Sequence, residues 1–446
     1  MTPFTESALA DVGAEAARAA WAAGLTVLRP SGEVVPIPLV AEPAVFPRAR
    51  LAALAAEARA LLSGAVKLAR ALLRDGDARD REALLGPFQG LEAEAMARLF
   101  DEAPCPAIMA RVDFLPTADP DAPPRALELN ATIPAMSGYA DLAAHAWLRA
   151  AARARGMTPR QANDLVAAAG SNMENLRRAL CAFHASRGGG RVRPSIAVVA
   201  RPGDAQIGEL RRLVEHLRQM GHEAENLTPP TCEPERWDVL YRHVWAHKTH
   251  PDSPFARALR APGRFVLANP VNGMLEAKAL FARLSECGAD AGLAARAGLD
   301  DGELAAARRL PVTRRLDHAL APRVIAERER WVLKRSWDYG GKSVQLGAET
   351  DPAAWERVVH EAAADLVGGG FVAQERVFAA RRPATRIAPD GVTRAELYRD
   401  VSTYCGLGAD APSGSVVRAA ASPIVNILGG GGLAPVLPDD VVERVG

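Results

Sequence analysis

The segment WVLKRSWDYGGKSVQ, Trp331 to Gln345, constrains this chain more than any other. A short apolar run, Trp331-Val332-Leu333, delivers Lys334, and Asp338 follows four residues later. Gly340, Gly341, Lys342 and Ser343 come directly after. An apolar strand that ends in a lysine and runs into a glycine turn gathers one cation and several free N–H groups around a polyphosphate. The neighbouring carboxylate suits the metal such a ligand carries. The spacing is not that of a P-loop, because the lysine precedes the glycines and no GxxxxGK[ST] occurs.

Two further segments carry polar groups on strand spacing. In Ala107–Leu115 (AIMARVDFL), Arg111 and Asp113 alternate with apolar residues; in Arg125–Asn130 (RALELN), Glu128 and Asn130 do the same. Residues two apart on a strand share a face. The turn-rich TADPDAPP between them predicts a hairpin, which gathers an arginine, two carboxylates and a carboxamide on one patch. Hard oxygens of this kind are what Mg²⁺ takes, with phosphate oxygens completing its octahedron. An exposed sheet face with surface ion pairs would carry the same pattern.

The remaining segments give the framework. Residues 7 to 100 are Ala-, Leu-, Glu- and Arg-rich and predict helices, interrupted by a loop or extended arm at Val35–Pro47. Met157–Ser186 is helical again, and Gly188-Gly189-Gly190 marks a boundary. The strand Ile196–Ala200, the amphipathic helix Glu209–Met220, and strands at Val239–Tyr241 and Phe265–Ala268 predict a small parallel α/β unit. Then follow the helix Glu276–Glu286 with Lys278, the helix Trp355–Leu366 and the strand Phe371–Val377 (FVAQERV). Strands at Glu396–Cys405 and Ser415–Ala420 and the four-glycine loop Gly429–Gly432 complete the chain. The expected divisions are a helical region at 1–105, the hairpin and its following helices at 106–187, an α/β substrate subdomain at 188–270 and a nucleotide-binding region at 271–446.

Composition excludes several partners. Lys+Arg 54 against Asp+Glu 53 leaves a net charge of +1, so no global field favours nucleic acid or an anionic membrane. No run of eighteen apolar residues suggests a membrane span. The acidic start MTPFTESALADVGAEAARAA does not resemble a secretory signal. The five scattered cysteines suggest neither zinc nor a disulfide framework, and a cytoplasmic location is expected.

In order, Arg111-x-Asp113, Glu128-x-Asn130, Lys278, Lys334 with its glycines, the QER strand and the terminal glycine loop resemble a circularly permuted ATP-grasp ligase. The nearest families are glutathionylspermidine synthetase and eukaryotic-type glutathione synthetase. LELNATIPAMSGYADL resembles their E-x-N segment, and WVLKRSWDYGGKSV resembles their VLKPxxEGGGNN-type loop. The resemblance spans roughly residues 107 to 435. It implies an ATP-grasp fold of α/β (α+β) class in permuted order, with ATP and Mg²⁺ and with small-molecule carboxylate and amine substrates. It assigns Asp113, Glu128, Asn130 and Asp338 to Mg²⁺. Lys278 and Lys334 fall on ATP phosphates, Gly340, Gly341 and Lys342 on the phosphate loop, and Gln374, Glu375 and Val377 on the adenine hinge. Glu396 becomes a second nucleotide-pocket acid. Arg111 stabilises the transferring phosphoryl group or the oxyanion. Arg418 holds a substrate carboxylate beside the mobile loop that contains Gly430 and Gly431.

The sequence departs from the pattern at Arg335, where proline is usual, at Asp338, where glutamate is usual, and at Ala420, where glutathione synthetases carry a further lysine. The last departure argues against glutathione itself as product. The implied chemistry is amide-bond formation through an acyl phosphate with release of ADP. An ATP-grasp phosphotransferase or a non-catalytic nucleotide-binding protein would use the same site. The α/β unit is the expected specificity region, where Arg242 is a candidate substrate contact; whether His243 or His247 takes part stays open.

Overall fold

A computed structural model describes residues 4–102, 105–119, 122–338, 341–427 and 430–446. It is a mixed α/β architecture organised on the fifteen-residue strand Gly391–Cys405. The first half of that strand pairs antiparallel with Arg382–Ala388, from Arg382 opposite Leu397 to Ala388 opposite Gly391. Its second half lies between Ser415–Ala420 and Ala110–Leu115, with Asp400 opposite Arg418 and Ser402 opposite Asp113. Arg382–Ala388 also pairs with Leu39–Val40, which meets Gly432–Ala434, which pairs with Ser415–Ala420. The ladder therefore closes on itself, and the hairpin of Ala110–Leu115 with Arg125–Asn130 extends from it.

Alternation along the hairpin sorts its side chains. Val112 and Phe114 are fully buried in the core under the 28-residue helix Arg48–Asp75, while Arg111 and Asp113 point to the other face. The helices Glu6–Ala22 and Ser137–Ala154 belong to the second large core, where the indole of Trp147 donates to the carbonyl of Ala41 at 2.8 Å. Residues at the chain start are thus integral to the central sheet. The Val35–Pro47 segment, expected as a loop or arm, contains the short strands Leu39–Val40 and Ala44–Phe46. Strands of two and three residues show no periodicity; distant partners at Arg382–Ala388 and Val436–Pro438 create them.

The expected parallel unit is present. Its strands run in the order Leu267–Ala268, Val239–His243, Ile196–Ala200, Ala224–Leu227, all parallel, with the helix Ile207–Gln219 crossing between two of them. A second four-stranded sheet is antiparallel, in the order Thr313–Arg315, Phe371–Glu375, Trp331–Arg335, Gln345–Leu346. One face packs Trp331, Leu333 and Ala373 against the helices Ala321–Ala326 and Pro352–Ala364. The other face presents Lys334 and Gln374. Among the described residues no helix is long and apolar enough to cross a membrane.

Candidate active site

The hairpin registers as its spacing predicts. Arg111 stands opposite Asn130 and Asp113 opposite Glu128, with a bulge after Asp113. Arg111 forks onto Asp113 through Nε at 2.7 Å and Nη2 at 3.0 Å, and its Nη1 donates to the carbonyl of Ala135 at 3.0 Å. Arg418 reaches across the strand Gly391–Cys405, donating to Asp113 at 2.9 Å and to Asp400 through Nε at 2.9 Å. These four charges form one buried alternating chain, with Asp113 4% and Asp400 5% exposed. Burial alone would raise the Asp113 carboxyl, but the guanidiniums of Arg111 and Arg418 hold it well below the usual carboxylate range. At Asp400 burial prevails over Arg418 and the pKa is raised.

The lysines lie on the next two elements. Lys278 opens the helix Lys278–Cys287, with its side chain 11% exposed. Its ammonium donates to the carbonyl of Asp338 at 2.7 Å and lies 3.8 Å from Glu128. Lys334 is 7% exposed; its Nζ donates to Oε1 of Gln374 at 2.7 Å. Gln374 in turn donates to the carbonyl of Leu127 at 3.2 Å and to the hydroxyl of Thr313 at 3.1 Å. Burial lowers the Lys334 pKa to about 8, with Glu128 opposing the shift.

These groups surround one cavity of about 480 Å³, a volume suited to a small-molecule ligand. Of the expected residues, Arg111, Asp113, Glu128, Asn130, Lys278, Lys334, Asp338, Gly341, Lys342, Gln374, Glu375, Val377 and Arg418 line it. Residues more than two hundred positions apart have been brought together. Gly341 has φ +73°, a left-handed backbone that suits glycine. Gly340 lies outside the described residues, as does Gly429 of the terminal loop.

Four expected residues are placed elsewhere. Glu396 is exposed on the outer half of the long strand, and Gly430 and Gly431 do not line the cavity. Arg242 stands behind the wall, its guanidinium given to the backbone carbonyls of Asn269, Val244 and Pro270 at 2.8–3.0 Å. It does not line the cavity and ties the Asn269-Pro270 turn to its own strand. His247 is bound through Nδ1 to Glu92 at 2.7 Å and is not part of the lining. His243 does line the cavity, its Nε2 3.2 Å from Oε1 of Gln206, and burial lowers its pKa.

Several lining residues carried no signal strong enough to single out. Glu276, two residues before Lys278, is partly buried, and desolvation pushes its carboxyl up to about 6. It accepts the Thr132 N–H, a contact between segments 144 positions apart. Asp400 shares a strand face with Glu396, as alternation predicts, but its partner Arg418 appears only on pairing. Trp245 and Trp337 meet edge to face, ring centroids 5.4 Å apart, and both line the cavity. Isolated tryptophans give no sequence pattern.

The donor set fits a cation in part. Among the described residues no cluster of three or more His, Cys, Asp or Glu side chains is gathered as a metal site. Asp113 accepts from Arg111 on Oδ1 and from Arg111 and Arg418 on Oδ2, so those guanidiniums would share it with any cation. Glu128, its side chain 32% exposed, and Asn130 both line the cavity. One carboxylate and one amide on a strand, near Asp338, suffice for Mg²⁺ when phosphate oxygens and water supply the rest of its shell.

No protein-family model matches the chain, and no curated protein matches its sequence. Among solved structures, a glutathione synthetase-like effector from Globodera pallida aligns over 98% of this chain and 97% of its own, at 12% identity and a TM-score of 0.64. The chain has a glutathione synthetase-like fold. That likeness extends over nearly the whole of both chains. A protein assigned as a gamma-glutamylcysteine synthetase from Methylobacillus flagellatus aligns over 81% of this chain and 95% of its own, at 12% identity and a TM-score of 0.41. A D-cycloserine synthetase aligns over 56% and 97%, at 14% identity and 0.28. The last two scores are too low to carry an argument, and the glutathione synthetase-like fold rests on the first.

Proposed function

We propose that this protein is an ATP- and Mg²⁺-dependent carboxylate–amine ligase of the ATP-grasp type, in circularly permuted order, that forms an amide bond through an acyl phosphate and releases ADP. The observation that carries this reading is the convergence of Lys278, Lys334, Glu128, Asn130 and Asp338 on one cavity within a glutathione synthetase-like fold. In this reading residues 106–187 and 271–446 make the nucleotide-binding body, and residues 188–270 the substrate subdomain.

The chain's own groups supply charge and position. Lys334 and Lys278 neutralise phosphate oxygens from two elements, and Gln374 keeps the Lys334 ammonium aimed inward. Glu375 and Val377, at the end of the strand that carries Gln374, form the adenine hinge. Glu128, Asn130 and Asp338 would hold Mg²⁺, whose bound charge offsets that of the triphosphate. Arg111, anchored by Asp113, presents fixed positive charge where a carboxylate would attack the γ-phosphate. The amine then displaces phosphate from the acyl phosphate. Enclosure matters because an acyl phosphate hydrolyses in open water.

Nucleotide product analysis tests the reading. The protein is incubated with Mg-ATP, pooled amino acids, small peptides and polyamines, with hydroxylamine to trap acyl phosphate. Substrate-dependent ADP and a hydroxamate are expected, both lost in Lys334→Ala and Glu128→Gln. Formation of AMP in place of ADP would remove the acyl-phosphate mechanism.

A further inference from the structure

Most of the carboxyl groups that line the cavity are engaged. Asp113, Asp204, Glu375 and Asp400 meet arginines, Glu128 lies 3.8 Å from the Lys278 ammonium, and Asp338 accepts from the Ser343 hydroxyl. Glu276 differs. It lines the same cavity and accepts the Thr132 N–H, and no arginine or lysine stands within ion-pair distance of it among the described residues.

The segment that carries Thr132 fixes where this carboxyl lies. The side-chain amides of Asn269 and Asn272 donate to the carbonyl of Ala131 at 2.8 and 3.0 Å. Three residues beyond Thr132, the carbonyl of Ala135 accepts from Arg111 at 3.0 Å. One pinned segment therefore joins Glu276 to the arginine placed where the substrate carboxylate reacts. The charged groups that face Glu276 are Lys278, two residues on, and Arg242 from the strand Val239–His243. Desolvation outweighs them and pushes the carboxyl up to about 6, close to the pH at which a base must work.

Amide formation releases a proton from nitrogen, and the lysines and arginines of the cavity, protonated at neutral pH, do not accept it. Resting on the ligase reading, we propose that Glu276 is the general base of that step. As the amine nitrogen bonds to the acyl carbon, the bond from that carbon to the phosphate oxygen breaks and phosphate leaves with the electron pair. The N–H proton passes to the Glu276 carboxylate and returns to solvent as the products depart.

Hydroxylamine separates this step from the one before it. At neutral pH it is a free base, and its weakly basic nitrogen, once acylated, gives its proton to water unaided. Glu276→Gln keeps an acceptor for the Thr132 N–H and removes the basicity. With hydroxylamine and the acid that the wild type uses, this variant is expected to form ADP and hydroxamate at close to the wild-type rate. With the amine that the wild type uses, its amide formation at neutral pH falls about a hundredfold. Should Glu276→Gln not fold, the wild type alone decides: at fixed free-amine concentration its amide rate climbs as pH rises through about 6, where the carboxylate forms. A profile flat across that value overturns the proposal. So does a variant that makes amide at the wild-type rate, or one that loses hydroxamate and amide equally. A wild type that forms neither ADP nor hydroxamate removes the ligase reading, and this proposal with it.

Discussion

At the scale of single residues, the buried chain Arg111–Asp113–Arg418–Asp400 separates two roles that a motif cannot. The R-x-D spacing places Asp113 beside Glu128, as a metal ligand would be, and in the structure it also anchors two guanidiniums. Asp113→Asn would leave two buried arginines short of their counter-charge. A loss of about 3–5 kcal/mol in chemical denaturation is expected, the cost of breaking a buried pair from one side. A variant with wild-type stability but weakened Mg²⁺ dependence would make the metal-ligand role the dominant one. Lys334 gives a second test. Its pKa of about 8 in the folded chain lies below the ordinary 10.5, so burial penalises its charged form. Between these values the unfolded chain holds a proton the folded chain has released, and stability attributable to this residue rises with pH across that window. Phosphate binding runs the other way, because it needs the ammonium. The affinity for Mg-ATP is therefore expected to fall as pH rises past about 8, and to fall much less in Lys334→Arg. A wild-type profile flat to pH 10, measured by titration, would remove Lys334 from the phosphates.

At the scale of elements, side chains that bridge strands hold the site in register. Gln374 joins Lys334, Leu127 and Thr313 across three strands. Gln374→Leu keeps the volume but leaves the buried ammonium only the Leu127 carbonyl at 3.4 Å, and a destabilisation of about 1–3 kcal/mol is expected in urea unfolding. A Gln374→Leu protein as stable as wild type would show that water replaces the amide. Here the sequence was partly legible. Strand alternation places Arg111 with Asp113 and Glu128 with Asn130, and Lys334 follows its apolar run, because local spacing decides which face a strand residue takes. The surroundings of Arg242 were not legible: its three acceptors are backbone carbonyls, and carbonyls leave no mark in a sequence. Glu396 has the right face but the wrong half of a long strand, and how far a strand extends beyond its neighbours depends on pairing alone.

At the scale of the whole molecule, the chain start is built into the central ladder. Leu39–Val40 bridges Arg382–Ala388 and Gly432–Ala434, so segments from both ends of the chain meet in one sheet. A protein beginning at Arg48 would lose that bridge and the helix Glu6–Ala22 together. It is expected to show no cooperative thermal transition by circular dichroism, whereas a sharp transition would make the first segment an accessory. The helical character of residues 48–102 was readable from composition and periodicity. The role of residues 39–46 was not, because only a partner hundreds of positions away gives two residues the identity of a strand.

The strand Gly391–Cys405 also sets a clock for the molecule. Residues Val401 to Thr403 have neighbours on both sides, whereas Val392 to Ala395 belong to the exposed outer half. An inner amide is covered by a strand on either side, whereas an outer one is freed when a single pairing frays. In deuterium the outer half should therefore exchange through local opening, while Val401–Thr403 keep their protons until the whole sheet comes apart.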